Sequence, residues 1–168
     1  MTEEMRIYVV PYDEAWPAQF EAERQHLEEL IGEWVVGGIE HVGSTSVVGL
    51  AAKPVIDVMV GVESLAASVP AKQKLEECGY QWADYKTDVM HWLCKPSFAH
   101  RTHHLHLVPC ESPLWRERLA FRDLLRSDPQ VRRDYEALKL ELAHKYEHDR
   151  EAYTDSKWPF IARALNLE

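Results

Sequence analysis

The sequence lacks the features that mark disulfide-rich, secreted or membrane-spanning proteins. Its three cysteines, Cys78, Cys94 and Cys110, form no CxxC pair and are odd in number, so a disulfide framework or a thiolate zinc site is not expected. No apolar run approaches the roughly 20 residues that cross a bilayer. The opening residues, MTEEMRIYVV, are acidic where a secretory signal needs positive charge. We therefore expect a cytoplasmic protein that does not enter a membrane.

Positive charge is also scarce. The chain has 19 Lys and Arg against 28 Asp and Glu, which gives a net charge of −9. Such a chain repels nucleic-acid phosphates, so broad nucleic-acid binding is not expected. A small anionic ligand held at one local site is compatible with this charge. The length of 168 residues suits one domain, and we predict a single domain over residues 1–168. The sequence does not fix the oligomeric state.

Hydrophobic spacing predicts both helices and strands. From Asp13 to Trp34, apolar residues recur every three or four positions, which predicts a helix. The segment PVIDVMVGV is short and β-branched, which predicts a strand. Further strands are predicted in RIYVV (or an extended arm), IEHVGS, YQWADY, DVMHWLCK and THHLHLV, and further helices over 64–78, after Ser112, after Asp128 and around 156–166. This order predicts an α/β (α+β) protein with helices mainly on one face of a sheet and a helical C-terminal tail.

Alternation along two of the predicted strands brings three polar side chains to one face. In residues 55–60, the β-branched side chains of one face alternate with Asp57 on the other. In residues 103–108, two leucines lie opposite His104 and His106. Burying an unpaired carboxylate costs several kcal/mol, so we expect Asp57 on an open face with polar partners. If the apolar sides rest on the helices, Asp57 and both histidines project into the same space.

These three side chains have the chemistry of a cation site. A carboxylate and two imidazoles can hold a divalent cation and leave positions open for substrate or water. We predict Asp57, His104 and His106 as metal ligands and catalytic residues, with Mg²⁺, Mn²⁺ or Zn²⁺ as the cation. The alternative is that one or both histidines only hydrogen-bond the backbone.

A glycine–serine turn precedes the aspartate strand. Gly43 lets the main chain approach a ligand, and Ser44 and Thr45 offer hydroxyls and backbone N–H groups, so we predict that all three contact phosphate. Lys53 and Arg101 lie near predicted strand ends and are predicted to contact the same phosphate. Such a turn also serves as a simple helix cap, and this alternative stays open.

Lys139 and Trp92 are further candidates for ligand contact. Lys139 lies on a predicted helix, where a lysine is also typical of any solvated face. Trp92 could stack on a base, although its spacing also fits a core residue.

The segment from the Gly43-Ser44 turn to Asp57 resembles the opening signature of the nucleotidyltransferase fold, in which a glycine–serine turn is followed by an acidic pair on the next strand. More narrowly, HVGSTSVVGLAAKPVIDVMVGV, RTHHLHLV, LAFRDLLRSDP and YEALKLELA together resemble the GrpB family. Members of that family occur alone and fused to dephospho-coenzyme A kinase. The resemblance extends from about Val10 to Ile161 and implies a nucleotidyltransferase-like mixed β-sheet.

The resemblance also implies roles for individual residues. In nucleotidyltransferases the turn holds the triphosphate, and carboxylates on the sheet bind two magnesium ions. Carried over by position, Gly43 and Ser44 contact phosphate and Asp57 is the first carboxylate. The second acid is replaced by Met59, and one of the two strand histidines stands for the third.

Three functions are compatible with these residues. The first is metal-assisted transfer of a nucleotidyl or phosphoryl group to a small acceptor. The second, favoured by Met59, is a module without catalysis that binds a nucleotide, a coenzyme A-like ligand or a protein partner. The third is a metal-dependent hydrolase or oxygenase built on two histidines and one carboxylate. The predicted partner is a small molecule that carries phosphate, and the second function also leaves a protein partner open.

Overall fold

The computed structural model describes residues 6–167. Within this range the strands are β1 (Ile39–Val42), β2 (Ile56–Val62), β3 (Gln81–Ala83), β4 (His91–Pro96) and β5 (Arg101–Pro109). The helices are α1 (Trp16–Ile31), α2 (Val69–Glu77), α3 (Pro113–Ser127), α4 (Pro129–Lys145) and α5 (Arg150–Ala164). None of the helices in residues 6–167 combines the length and the apolar character that crossing a bilayer requires.

The five strands form one mixed sheet in the order β1-β2-β5-β4-β3. β2 and β5 pair in parallel at its centre, and the other neighbours are antiparallel. In the parallel pair Asp57 lies opposite His104, and Met59 lies opposite His106. The predicted mixed α/β fold is confirmed, and its central register places the three predicted site residues side by side.

The two faces of the sheet pack against different helices. On one face, Ile56 and Leu105 join Leu27 of α1 and Leu75 of α2 in the largest apolar cluster. On the other face, Met59, Trp92 and Val108 pack with Trp115 of α3. Helices therefore contact both faces, rather than mainly one, but α3 leaves the part of its face around Asp57 open. This open part is where the cleft described below lies.

Capping side chains determine where helices α4 and α5 begin. The predicted cap Asp128 accepts hydrogen bonds from the backbone of Gln130 and Val131, so α4 begins as predicted. The helix predicted over 64–78 begins only at Val69, after a turn. The last helix begins at Arg150 rather than near residue 156, because Asp149 accepts the N–H of Ala152 and caps an earlier turn.

Of the two alternatives predicted for the N-terminal segment, a strand or an extended arm, the structure shows the extended arm. In the segment RIYVV, Val10 pairs with Ala52 through an isolated bridge, and the segment is otherwise an extended arm. Ile7 of this arm packs in an apolar cluster with Leu142 of α4 and Tyr153 of α5. The arm therefore ties the C-terminal helices to the segment that enters β2.

The loop after β1 is held against the C-terminal helices. Val47 and Leu50 of this loop are buried together with Leu125 of α3 and Tyr135 of α4, and Phe160 of α5 packs beside them. We call these five residues the loop–helix cluster. It sets the position of the glycine–serine turn relative to α4 and α5, which form one wall of the cleft.

Candidate functional site

The open part of the sheet and helices α3–α5 enclose a cleft of about 960 Å³. This volume lies at the upper end of the range found for small-molecule sites. Eight Lys and Arg side chains and four Asp and Glu side chains line the cleft. An acidic protein therefore carries a locally cationic cleft, which suits an anionic ligand.

Asp57 and His104 form a hydrogen-bonded pair on the floor of the cleft. The Oδ1 of Asp57 is 3.1 Å from the Nδ1 of His104, across the parallel strands. Burial by itself raises the pKa of Asp57, but the hydrogen bonds from His104 and His106 outweigh it and hold that pKa well below its usual range. Burial lowers the pKa of His104 despite the nearby carboxylate. At neutral pH an ionised Asp57 therefore accepts the Nδ1–H of a neutral His104.

This arrangement leaves the other ring nitrogen of His104 with a lone pair. A neutral imidazole carries one N–H, and the carboxylate fixes it at Nδ1. The Nε2 of His104 is buried and has no hydrogen-bond partner among the described residues. His104 lines the cleft, and this nitrogen is the atom of its ring that keeps a lone pair without a partner among the described residues.

His106 links Asp57 to an arginine of α3. Its Nε2 is 3.6 Å from the Oδ1 of Asp57, and its Nδ1 is 3.3 Å from a terminal nitrogen of Arg118. Because Arg118 has only donors, the Nδ1 of His106 is the acceptor and the proton lies on Nε2, toward Asp57. Burial, followed by the charge of Arg118, lowers the pKa of His106 to about 4, so this ring is neutral. Arg118, His106, Asp57 and His104 thus form one row of polar contacts in which the ring protons of both histidines point toward Asp57.

The three predicted metal ligands lie close together, but the ring protons of the two histidines point toward the Asp57 carboxylate. Neither the Nδ1 of His104 nor the Nε2 of His106 offers a lone pair toward the Oδ1 of Asp57, so a shared cation would have to displace both protons. Across residues 6–167, no set of three or more His, Cys, Asp and Glu is arranged to hold a metal ion. The single cation on Asp57, His104 and His106 stays a prediction, as does the hydrolase built on it.

A pair of metal ions does not fit these residues. Met59 is fully buried at the position where nucleotidyltransferases carry the second acid. Glu40 lies directly opposite Met59 on β1, but its carboxylate is 2.6 Å from the guanidinium of Arg122. A two-metal mechanism requires several carboxylates, and among the described strand residues that line the cleft Asp57 is the one acid.

The glycine–serine turn lies directly against Asp57. Gly43 has a φ of +71°, in the region that favours glycine, and any Cβ added there would overlap the Asp57 carboxylate. Ser44 follows in a 3₁₀ turn, and it lines the cleft together with Tyr135 of α4. The turn thus borders both the floor and the helical wall of the cleft, as a phosphate contact would require.

Thr45 has a structural use for its hydroxyl. Its Oγ1 accepts from the Nε2 of His41, at 2.9 Å, and donates to the carbonyl of Val55, at 3.0 Å. Thr45 is buried, and this chain of hydrogen bonds ties β1 to the residue before β2. The predicted phosphate contact of Thr45 therefore depends on its backbone N–H, because its hydroxyl is already paired.

We expect the Thr45→Val variant to lose about 1–3 kcal/mol in free energy of unfolding, because it leaves the His41 N–H and the Val55 carbonyl buried without a partner. Urea denaturation gives this free energy. The Thr45→Ser variant keeps the hydroxyl and is the matched control. Equal stability of the valine and serine variants would contradict the assignment.

Two lysines approach one tyrosine ring inside the cleft. The Nζ atoms of Lys53 and Lys157 lie 4.9 and 4.6 Å from the ring centroid of Tyr153. In the described part of the chain neither ammonium makes a hydrogen bond or an ion pair. Burial, together with repulsion from Lys157, lowers the pKa of Lys53 to about 7, and burial lowers that of Lys157 to about 8. These are unpaired cations that an anionic ligand would neutralise.

Lys139 and Arg101 line the cleft with part of their donors in use. Lys139 is buried, donates to the carbonyl of Ala51, and has a pKa that burial lowers to about 7. The Nε of Arg101 donates to the carbonyl of Phe98 at 2.9 Å, and its guanidinium lies 5.2 Å from the ring centroid of Trp92. The lysine therefore holds the loop before β2, and the arginine keeps its outer nitrogens for a ligand.

Sequence reasoning missed Arg118 and Lys157. Both lie on helices, and the rotation of a helix relative to the sheet is not visible in a run such as RERLAFRDLLR. One signal was present: Leu114, Arg118 and Arg122 recur every four residues and all line the cleft.

The mixed sheet, with a glycine–serine turn before a central carboxylate strand, gives the chain a nucleotidyltransferase-like fold. A structure of Cid1, described by its RNA terminal uridylyl transferase activity, has a TM-score of 0.51 and 17% identity, covering 82% of this chain and 43% of that chain. The chain belongs to the GrpB family, whose model, described as GrpB protein, matches residues 6–167. The crystal structure of conserved protein GrpB from Enterococcus faecalis has a TM-score of 0.83 and 32% identity, covering 95% and 98% of the two chains.

Similar proteins from other organisms support the assignment of the chain to this family. The chain is 37% identical to the glutamate-rich protein GrpB of Alkalihalophilus pseudofirmus, over 95% of this chain and 94% of that protein. It is 41% identical to a UPF0157 protein of Pseudomonas aeruginosa, over 95% of this chain and 66% of that protein. It is also 30% identical to a dephospho-CoA kinase of Mycolicibacterium paratuberculosis, but spans only 45% of it. The family resemblance inferred from sequence motifs is confirmed.

Proposed function

We propose that the protein transfers a phosphoryl or nucleotidyl group from a phosphate-bearing donor to the hydroxyl of a small acceptor, with Asp57 and His104 as the basic pair. The observation that carries this proposal is the buried, unpartnered Nε2 of His104 on the floor of a cationic cleft. General bases with this arrangement contribute substantially to group transfer when they lie within hydrogen-bond reach of the acceptor proton.

His104 takes the acceptor proton in this mechanism. The acceptor O–H bond breaks as its proton moves to Nε2, the new O–P bond forms, and the leaving phosphate departs with the electrons of the broken P–O bond. Asp57 holds the ring in the Nδ1–H tautomer and stabilises the imidazolium that forms, as carboxylates do beside catalytic histidines. The Nε2 of His106 lies 3.6 Å from the same carboxylate oxygen, and Arg118 holds His106 through its Nδ1, so this ring helps to position the carboxylate.

The cationic side chains stabilise the transferred group. Lys53, Lys157 and Arg118 line the same cleft as Asp57, and in this proposal each contributes positive charge where negative charge develops on the phosphoryl oxygens. The Gly43-Ser44 turn borders the same space, which supports the predicted phosphate contact. In this proposal protein cations supply much of the charge stabilisation that other enzymes of this fold take from their metal ions.

Turnover assays test this function. The protein is incubated with nucleoside triphosphates and hydroxyl acceptors, with and without Mg²⁺, Mn²⁺ or Zn²⁺, and products are followed by ³¹P NMR. We expect Asp57→Asn and His104→Gln to lower kcat by at least about a thousandfold while nucleotide binding is kept. His148→Gln, at an exposed histidine, is the control.

Each result has a consequence. Absence of product from every donor and acceptor would contradict the transferase, and product that is independent of Asp57 and His104 would contradict the basic pair. Turnover that requires one of the three cations, with the cation bound less tightly after Asp57→Ala, would support the predicted metal.

A nucleotide- or coenzyme A-binding module is the second candidate. It is favoured by the buried Met59 and by the Glu40–Arg122 ion pair, which together leave Asp57 as the remaining acid of the nucleotidyltransferase pattern on this face. Tight nucleotide binding by the unaltered protein, without turnover of any donor and acceptor, would support this function over the first.

A further inference from the structure

Three large aromatic side chains that line the cleft are exposed to solvent. Tyr85 and Phe98 are each 38% exposed, and Trp158 is 48% exposed. Tyr85 follows β3, Phe98 lies between β4 and β5, and Trp158 belongs to α5, yet all three line the same cleft. We call these three residues the aromatic rim. Exposed apolar groups that converge on a cavity mark a binding surface more strongly than single exposed residues do.

The aromatic lining continues inward to the basic pair. The ring of Trp92 is 8% exposed and lies 5.1 Å from the ring of His104, in a tilted arrangement. Tyr85 contacts Trp92 edge-on at 6.2 Å, and the guanidinium of Arg101 lies 5.2 Å from its centroid. A flat ring entering from the rim would therefore meet aromatic surface as far as the floor of the cleft.

The remainder of the cleft is cationic. Lys53 and Lys157 approach Tyr153 without an ion-pair partner in the described chain, and Lys157 directly precedes Trp158. One cavity thus combines exposed aromatic rings with unpaired ammonium groups. A ligand that fits both chemistries has a planar ring and several negative charges.

We infer that the ligand of this cleft is a nucleoside polyphosphate whose base stacks on the aromatic rim while its phosphates contact Lys53 and Lys157. This inference rests on the proposed function and names its substrate class. Base–aromatic stacking is tolerant of base identity because every base has a π face. Among the described residues that line the cleft there is no Asn or Gln, the side chains that read adenine edges through paired hydrogen bonds. The aromatic rim therefore favours ligands that carry a base, but it does not discriminate strongly between one base and another.

Calorimetric titration separates the base from the phosphates. ATP, GTP, CTP, UTP and inorganic tripolyphosphate are each titrated into the full chain. We expect the four nucleotides to bind within about fivefold of one another and at least about tenfold more tightly than tripolyphosphate. Trp158→Ala and Phe98→Ala should each remove most of this advantage and leave tripolyphosphate binding unchanged. Tyr8→Ala, at an exposed tyrosine outside the cleft, should change neither.

The outcomes are distinguishable. Equal affinity of nucleotides and tripolyphosphate for the unaltered protein would overturn the stacking inference but keep the phosphate site of the proposed function. Failure of all five ligands to bind would overturn both. A difference of more than about a hundredfold among the four bases would also overturn the inference, because stacking alone does not discriminate so strongly. The comparison on the unaltered protein does not depend on whether any variant folds.

Discussion

The Gly43→Ala variant is expected to lower turnover at least about a hundredfold. Alanine adds a Cβ that overlaps the Asp57 carboxylate, and it must also adopt a φ of +71°. Relief of the overlap moves either the turn or the carboxylate, and a displacement near 1 Å at a catalytic group can cost about a hundredfold in rate. Steady-state kinetics with the best donor and acceptor would measure this change.

Gly49 provides the matched control for this variant. It lies in the same loop with a φ of +83°, but a Cβ added there has no atom within 4 Å. Gly49→Ala should therefore cost about 1 kcal/mol in free energy of unfolding and leave kcat nearly unchanged. If both alanine variants reduce turnover equally, backbone strain rather than contact with Asp57 explains the effect.

Removing the two unpaired lysines is expected to have the largest effect on binding. A hydrogen bond to a charged group is worth about 1.5–3 kcal/mol, so Lys53→Met and Lys157→Met should each weaken tripolyphosphate binding by about 10- to 100-fold. Calorimetric titration gives the affinities. Lys145→Met is the control, because Lys145 also lies over a tyrosine ring, 5.1 Å from the centroid of Tyr146, but outside the cleft.

The same lysines predict how binding depends on pH. In the free protein their pKa values are about 7 for Lys53 and about 8 for Lys157, and a bound anion favours the protonated form of each. Binding should therefore take up protons, and the affinity should fall as the pH rises from 7 to 9. Titration in buffers of different ionisation enthalpy measures the uptake. Affinity that is constant over this range, or an equal fall in the double methionine variant, would contradict the assignment.

Strand periodicity was sufficient to place the floor of the cleft. Side chains alternate strictly along a strand, so Asp57 could be assigned to one face and His104 and His106 to one face of another strand without coordinates. The parallel register then sets Asp57 directly opposite His104. The prediction needed only that both apolar faces rest on the same helices, and the packing of Ile56 and Leu105 in one cluster meets that condition.

The helical wall could not be placed in the same way. A helix presents all of its faces within one turn, and its rotation about its own axis is set by packing that is distant in sequence. Arg118 and Lys157 therefore looked like ordinary surface charges. Thr45 was predicted to contact phosphate because its residue type offers a hydroxyl. That hydroxyl is occupied by His41 and Val55, and these partners are visible only in three dimensions.

The strand residues and the helical wall of the cleft are held in place by different contacts. Asp57 and His104 are fixed by the backbone ladder of the central strands, whereas Lys157 and Trp158 belong to α5, which the loop–helix cluster holds against the rest of the protein. A shift of that helical layer would widen or narrow the entrance without changing the distance over which the proton moves. In the proposed mechanism, a substitution in α5 would therefore change ligand selectivity and leave Asp57 and His104 in place.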